Sequence, residues 1–297
     1  MNATLTIRPA ETDADLELWR QVRAIVLPDE RTATVAELRG MERPGRLLVL
    51  AEVNGEVVGH GVADRSDLEG RASLGPRILP EHRRKGYGSE LLRYLAAHAA
   101  SVGHTVAAGM IDDPELVGFA THFGFAEVDR QVEQLRTIGV EPKPDPPSGI
   151  EIVSIVDRPE LWPRAYHEVA LEAVKDMAVI SPLRVTLEEW ERDWINAPEA
   201  SFVALSDGRV VGLASLMLDV ERPDRAEQGF TAVARGWRGR GVASTLKRQT
   251  LWWAAEHGID EVYTWTQTGN DDMRQLNEHL GFTYGQVSVT FQRELPL

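Results

Sequence analysis

Cysteine is missing from all 297 residues. That excludes disulfides, thiolate metal sites and a cysteine nucleophile. Positive charge is also scarce: 32 Lys and Arg stand against 46 Asp and Glu, a net charge of −14. Phosphate-rich partners want a basic face, so nucleic acid is not expected as a ligand. An acidic surface suits a cationic acceptor such as a polyamine or an amino sugar, and it suits plain solubility equally well. No apolar run approaches the roughly 20 residues of a membrane span. The first residues, Met1 to Arg8, lack the charged-then-apolar order of a signal peptide. A cytoplasmic protein without membrane contact is the expectation. The eight histidines are scattered, with no pair at the short spacing of a zinc site, so no metal is expected.

What is present fits an ordinary globular chain, 43% hydrophobic and 26% charged, long enough for two domains. The segment Glu141-Pro142-Lys143-Pro144-Asp145-Pro146-Pro147-Ser148-Gly149 carries four prolines and leaves few donors for a sheet or helix. It reads as a stiff, exposed linker between domains at 1–140 and 150–297. The first domain opens with a strand at Thr4 to Ile7 and a helix carrying Leu16, Trp19, Val22 and Val26, with Asp13 or Asp15 as its N-cap. Two apolar runs meet at Asn54-Gly55, a strong hairpin signal, and Asp207-Gly208 repeats it in the second domain.

The halves align residue by residue in three places. Gly55-Glu56-Val57-Val58-Gly59 matches Gly208-Arg209-Val210-Val211-Gly212, and Arg83 to Gly88 matches Arg238 to Ala243. Phe123-Gly124-Phe125 matches Leu280-Gly281-Phe282. The offsets are 153, 155 and 157 residues, which argues for duplication of a whole domain.

In each half a strand ends in a turn rich in glycine and arginine that feeds a helix. The clearer copy is Thr231-Ala232-Val233-Ala234-Arg235-Gly236-Trp237-Arg238-Gly239-Arg240-Gly241-Val242-Ala243, followed by Leu246, Thr250 and Trp253 at helical spacing. Such a turn gathers backbone N–H groups at a helix N-terminus and can cradle an anion. Neither Gly-x-Gly-x-x-Gly nor the phosphate-loop lysine pattern occurs in it.

This combination resembles the GNAT (GCN5-related N-acetyltransferase) superfamily in a tandem arrangement, over nearly the whole chain except the linker. The resemblance implies an α/β protein of two GNAT-like domains, each a mixed, mostly antiparallel central sheet flanked by helices. It implies transfer of acetyl from acetyl-CoA to a primary amine of a small molecule by direct attack. On that resemblance Arg238, Gly239, Arg240, Gly241, Val242, Ala243 and Ser244 hold the diphosphate through backbone amides. The strand ending at Ala232-Val233 pairs with the pantetheine arm beside a bulge, and Val233 N–H faces the thioester carbonyl. Glu227 stands where several members carry a general base, or is simply an exposed strand-edge glutamate.

Asn270 and Asn277, in the block from Trp265 to Phe282, match the family's last block. Asn270 approaches pantetheine, caps the following helix, or does both; Asn277 lies on the CoA side of that helix. Many members place a tyrosine, the acid for the departing thiolate, where Asn277 and Ala120 stand here. Tyr263 and Tyr284 do not match that motif and read as packing residues. Glu168, Glu172 and Asp176 stripe one helix face, either for a cationic substrate or as a solvated surface.

The first half keeps its turn, with Arg83, Arg84, Lys85, Gly86, Tyr87, Gly88 and Ser89 suited to a CoA phosphate. Its last block reads Asp112-Asp113-Pro114-Glu115 instead. The second half is therefore the expected catalytic one, with the first binding CoA, shaping the acceptor site or serving as scaffold. The rival reading is an acyl-CoA-binding or regulatory protein that kept the fold and lost the chemistry.

Overall fold

The computed structural model describes residues 4–28, 30–66, 70–111, 113–177, 185–220 and 222–297. Asp112, part of the altered first-half block, lies outside them. The chain forms two compact units, one of residues 1–130 with 288–297 and one of residues 131–287.

The first unit contains β1 (Leu5–Pro9), α1 (Asp13–Val26), α2 (Val35–Gly40), β2 (Leu47–Val53), β3 (Glu56–Arg65), β4 (Arg71–Ile78), α3 (Tyr87–Ser101), β5 (Val106–Ile111) and α4 (Val117–His122). Strands β1 to β4 pair antiparallel in order, and β4 pairs with β5 in parallel over only Arg71–Ser73. The helices cover both faces because the strands alternate. Leu50 packs with Leu16 and Trp19 of α1, whereas Val49 and Ala51 pack with Leu91 and Leu95 of α3. The N-cap of α1 is Thr12, with Asp15 closing a capping box from the third helical position. The hydroxyl one residue upstream thus displaces Asp13 and Asp15 from the capping place.

The next strand, β6 (Ala126–Thr137), passes into the second unit at Gln131. There follow β7 (Glu151–Ser154), α5 (Leu161–Ala165), a π turn at Tyr166–Ala170, α6 (Leu171–Ala173), α7 (Leu187–Asp193), β8 (Ser201–Ser206), β9 (Arg209–Leu218), β10 (Arg225–Val233), α8 (Val242–Glu256), β11 (Glu261–Gln267) and α9 (Asp271–His279). Here β7 to β10 are antiparallel, β10 and β11 are parallel, and β11 pairs antiparallel with Gln131–Thr137 of β6. Every residue of β8 is buried, as a strand covered on both faces requires. Phe202 and Ala204 face the core under α8, and Val203 and Leu205 face Trp162, Val169 and Trp190. Trp162 and Trp190 stack at 4.5 Å, and each indole N–H donates to the other's carbonyl.

The last strand, β12 (Thr283–Glu294), enters the first unit at Ser288, where Val289–Glu294 pair antiparallel with β5. The sheet of each unit is therefore completed by a strand from the far end of the other sequence half. The proline-rich segment forms no helix or strand, as its composition implies, but it lies against α8. The Lys143 ammonium sits 5.0 Å from the Trp252 ring centre, and a Cβ on Gly241 would stand 3.7 Å from Pro147.

Candidate acyl-CoA and acceptor site

The site is built on an irregularity in β10. Thr231, Ala232 and Val233 pair with Ala214, Leu213 and Gly212, but Gln228 pairs with Leu216 and Glu227 with Met217. Gly229 and Phe230 thus oppose Ser215 alone, a β-bulge. A Cβ on Gly229 would come within 3.0 Å of the Ser215 hydroxyl, which explains a glycine there. The parallel pairing of β10 with β11 stops at Glu227 opposite Tyr263. Beyond it the two strands part, and backbone groups along the gap are free to meet an extended ligand.

The matching strand pair of the first unit has no such bulge among the described residues. β4 pairs with β3 without a shift from Ala72 to Ile78, and its parallel pairing with β5 ends at Ser73. Ser73 therefore occupies the place of Glu227. The cross-strand pair Leu213–Ala232 of the second unit is His60–Arg77 in the first. His60 is buried with both ring nitrogens unpartnered, and burial, with Arg23 and Arg77 nearby, drives its pKa well below the usual histidine value.

After β10, a short 3₁₀ turn at Arg235–Trp237 leads to the glycine turn. Gly239 and Gly241 take left-handed φ of 72° and 80°. In the first unit Arg84 and Gly86 take φ of 63° and 90°, so the same turn forms although Arg84 has a side chain. Gly241 caps α8 without a side-chain bond, and the first N–H to bond back into the helix is that of Thr245, to Gly241 O at 2.9 Å. The amides of Val242, Ala243 and Ser244 precede that bond, where the helix dipole favours negative charge. Arg238 to Gly241 are exposed.

Arg238 does more than line the turn. Its Nε donates to Val233 O at 3.0 Å, as Arg83 Nε donates to Ile78 O at 3.2 Å in the first unit. Its Nη2 also reaches Asp176 at 2.7 Å, and Arg235 joins the same carboxylate. The Arg235 and Arg238 guanidiniums hold the Asp176 carboxyl well below the usual carboxylate range. Glu172 accepts from the Arg235 amide at 3.0 Å, and Glu168 accepts from Arg164 at 2.8 Å and from the Val210 amide at 2.7 Å. The acidic stripe thus binds the protein's own cations and amides, tying the helical segment before residue 177 to the glycine turn.

Glu227 is half-buried, on the face opposite α8, because its neighbours Ala226 and Gln228 face α8. Tyr263 is buried; its hydroxyl donates to Glu227 at 3.4 Å, and the Arg225 guanidinium lies 4.0 Å from its ring centre. Tyr284 is 49% exposed and donates to Glu278, so it is not a packing residue. Asn270 occupies the N-cap position of α9 with no side-chain capping bond, and it is half-buried. Asn277 is fully buried: its Nδ2 donates to Gln134 at 2.8 Å and to Thr266 at 3.4 Å. The structure thus brings Glu227, the bulge, Val233 and the glycine turn together along β10, and it sets Asn277 inside a buried amide–hydroxyl network. Sequence reading missed Lys247 on α8, which is 1% exposed with its ammonium 5.4 Å from the Phe282 ring centre.

A bulged central strand that parts from a parallel neighbour and runs into an uncapped glycine turn is the framework of an acyl-CoA-dependent acyltransferase. The chain belongs to the acetyltransferase (GNAT) family, whose sequence profile matches residues 15–125 and 160–282. It is an acetyl-CoA-dependent acetyltransferase of tandem GNAT organisation.

The chain is 25% identical to the mycothiol acetyltransferase of Salinispora tropica over 267 residues, 87% of this chain and 85% of that protein. It is 32% identical over 87 residues to N-alpha-acetyltransferase 30 of Schizosaccharomyces pombe, a match to 29% of this chain and 58% of that protein's length. Among solved structures, a tandem GNAT protein from the clavulanic acid biosynthesis pathway shares the fold at a TM-score of 0.78 and 20% identity, covering 99% of this chain and all of that one. Among the described residues, no helix is long and apolar enough to cross a membrane.

Proposed function

We propose that the second unit moves an acetyl group from acetyl-CoA to a primary amine of a small molecule by direct attack. The observation that carries this is the bulge in β10, which the first unit lacks at the matching point of β4. The diphosphate lies against the amides of Arg238, Gly239, Arg240, Gly241, Val242, Ala243 and Ser244. The pantetheine arm runs beside Ala232 and Val233, and Val233 N–H stabilises the negative oxygen that forms as nitrogen attacks. Asn270, half-buried and without a capping bond, faces the same arm. Asn277 acts from within its buried network by fixing α9, not by touching CoA.

Glu227 takes the proton from the amine, directly or through water. Its place beside the bulge, on the face opposite α8, supports that role, since acceptor and acetyl-CoA then approach the gap from opposite faces. Positioning and the fixed oxyanion donor supply most of the rate. The first unit keeps the turn from Arg83 to Ser89 but has Ser73 where the base stands. We assign it binding or scaffolding without turnover.

Steady-state CoA release over a panel of primary amines tests the reading. The panel includes the acceptor of mycothiol acetyltransferases, because that match covers most of both chains. Acetyl-CoA-dependent release that rises with at least one amine is expected. Tight acetyl-CoA binding with no turnover on any amine would instead mark a binding protein.

A further inference from the structure

On the α8 side of the gap, the core of the second unit is polar where that of the first is apolar. With the two glycine turns aligned, Lys247 and Thr250 stand where α3 has Leu92 and Leu95. Gln228, just before the bulge, stands where β4 has Leu74 by its pairing with the neighbouring strand. All three leucines are buried in the first unit's core. Their replacements are buried too, at 2% exposure for Gln228, 1% for Lys247 and none for Thr250.

Gln228 and Thr250 form one hydrogen-bonded cluster beside the gap, and Lys247 joins it through its backbone carbonyl. The Thr250 hydroxyl bridges Gln228 Oε1 and Lys247 O, both at 2.8 Å. Gln228 Nε2 donates to Ser215 O at 2.8 Å, and the Thr264 hydroxyl of β11 donates to Gln228 O at 3.2 Å. The turn of α8 that carries Lys247 is therefore fastened to both sides of the parting strands. The ammonium itself rests on the Phe282 ring face and makes no ion pair among the described residues. A buried, uncompensated ammonium costs stability, and a leucine would pack there without that cost.

We infer that Lys247 gives the proton to the departing CoA thiolate, on the face of the sheet opposite Glu227. This rests on the second unit's being the catalytic one. As the amine nitrogen bonds to the carbonyl carbon, the C=O pair moves onto oxygen, and Glu227 accepts a proton from nitrogen. When that intermediate collapses, sulfur leaves with the C–S electron pair. A proton from Nζ bonds to that pair, giving the free thiol and a neutral lysine. Glu227 returns its proton to water, and Nζ takes one up.

The acidity suits the step. Burial alone pulls Lys247 down to about 7, below the roughly 8.5 of an ordinary thiol, so transfer to the thiolate runs downhill. The charged groups on segments packed against α8 include Glu199 beside β8, Arg209 on β9, Arg225 and Glu227 on β10, and Lys143 of the proline-rich segment. None of them contributes to that shift.

The test uses the full-length chain with Lys247→Leu, which installs the first unit's residue, and Lys247→Arg, which keeps charge but is a poor acid. With an amine that the wild type acetylates, both variants should lose about 10²- to 10⁴-fold in kcat. Acetyl-CoA affinity by calorimetry should stay within a few-fold, and the Tm of Lys247→Leu should not fall. Wild-type kcat should decline as pH rises through about 7, and that decline should vanish in Lys247→Leu. Unchanged kcat and pH profile, or a loss of acetyl-CoA affinity as large as the loss of kcat, overturns the inference. A wild type that acetylates no amine refutes the assignment of the second unit instead.

Discussion

Glu227 and Val233 stand on one strand with a bulge between them, and the proposed chemistry depends on both. On that reading Glu227→Gln should lower kcat by about 10²- to 10⁴-fold and leave the acetyl-CoA KM nearly unchanged, as read by steady-state kinetics. A matching fall in acetyl-CoA affinity would make Glu227 a structural residue. That Glu227 lies on the strand leading to Val233 was legible in the sequence. Its bond from Tyr263 was not, because that pairing depends on where the parallel register of β10 and β11 ends. Lys247 was missed because a lysine beside Arg248 reads as a solvated helix face. The signal lay in the repeat, where the aligned residue is Leu92. The Asn270 alternatives could be narrowed only by geometry, since a residue at the N-cap position need not cap.

At the scale of elements, turn chemistry was the most readable feature. Asn54-Gly55 and Asp207-Gly208 all take positive φ, as tight hairpins between twisted strands demand. The bulge was not readable by periodicity: it adds one residue to β10, and only the pairing with β9 locates it. Arg225 binds three strands of the second unit, reaching Glu133 of β6 at 3.0 Å and Glu261 of β11 at 2.7 Å from its own place on β10. Its side chain and that of Glu133 are 6% and 5% exposed. Arg225→Met would leave a buried carboxylate without its cation and should cost about 3–5 kcal/mol in urea unfolding. A loss under about 1 kcal/mol would place that pair with ordinary surface ion pairs.

Arg238 joins the end of β10 to the helical segment through Val233 O and Asp176. Arg238→Met should therefore raise the acetyl-CoA KM more than Asp176→Asn does, because it releases both partners at once. Equal effects would mean that the Asp176 bridge alone orders the turn.

At the scale of the whole molecule, the repeat was legible, but the exchange of final strands was not, and the proline-rich segment falls inside the second unit. Nothing in local pattern says whether β6 completes the sheet of its own half or of the other. The compact units show that residues 131–140 belong with the second half and 288–297 with the first. A protease site inserted within 143–145 should therefore yield fragments that remain together on size exclusion after cleavage. Separation without denaturant would contradict the strand exchange.

On the proposed reading, catalysis belongs to the second unit and its glycine turn. The most direct measurement compares acetyl transfer by Gly86→Asp and Gly241→Asp. Both glycines cap a helix with left-handed φ, so the backbone strain is matched, and both variants aim a carboxylate at a helix N-terminus. Gly241→Asp should abolish transfer while Gly86→Asp retains it. Transfer lost in Gly86→Asp and kept in Gly241→Asp would contradict that reading.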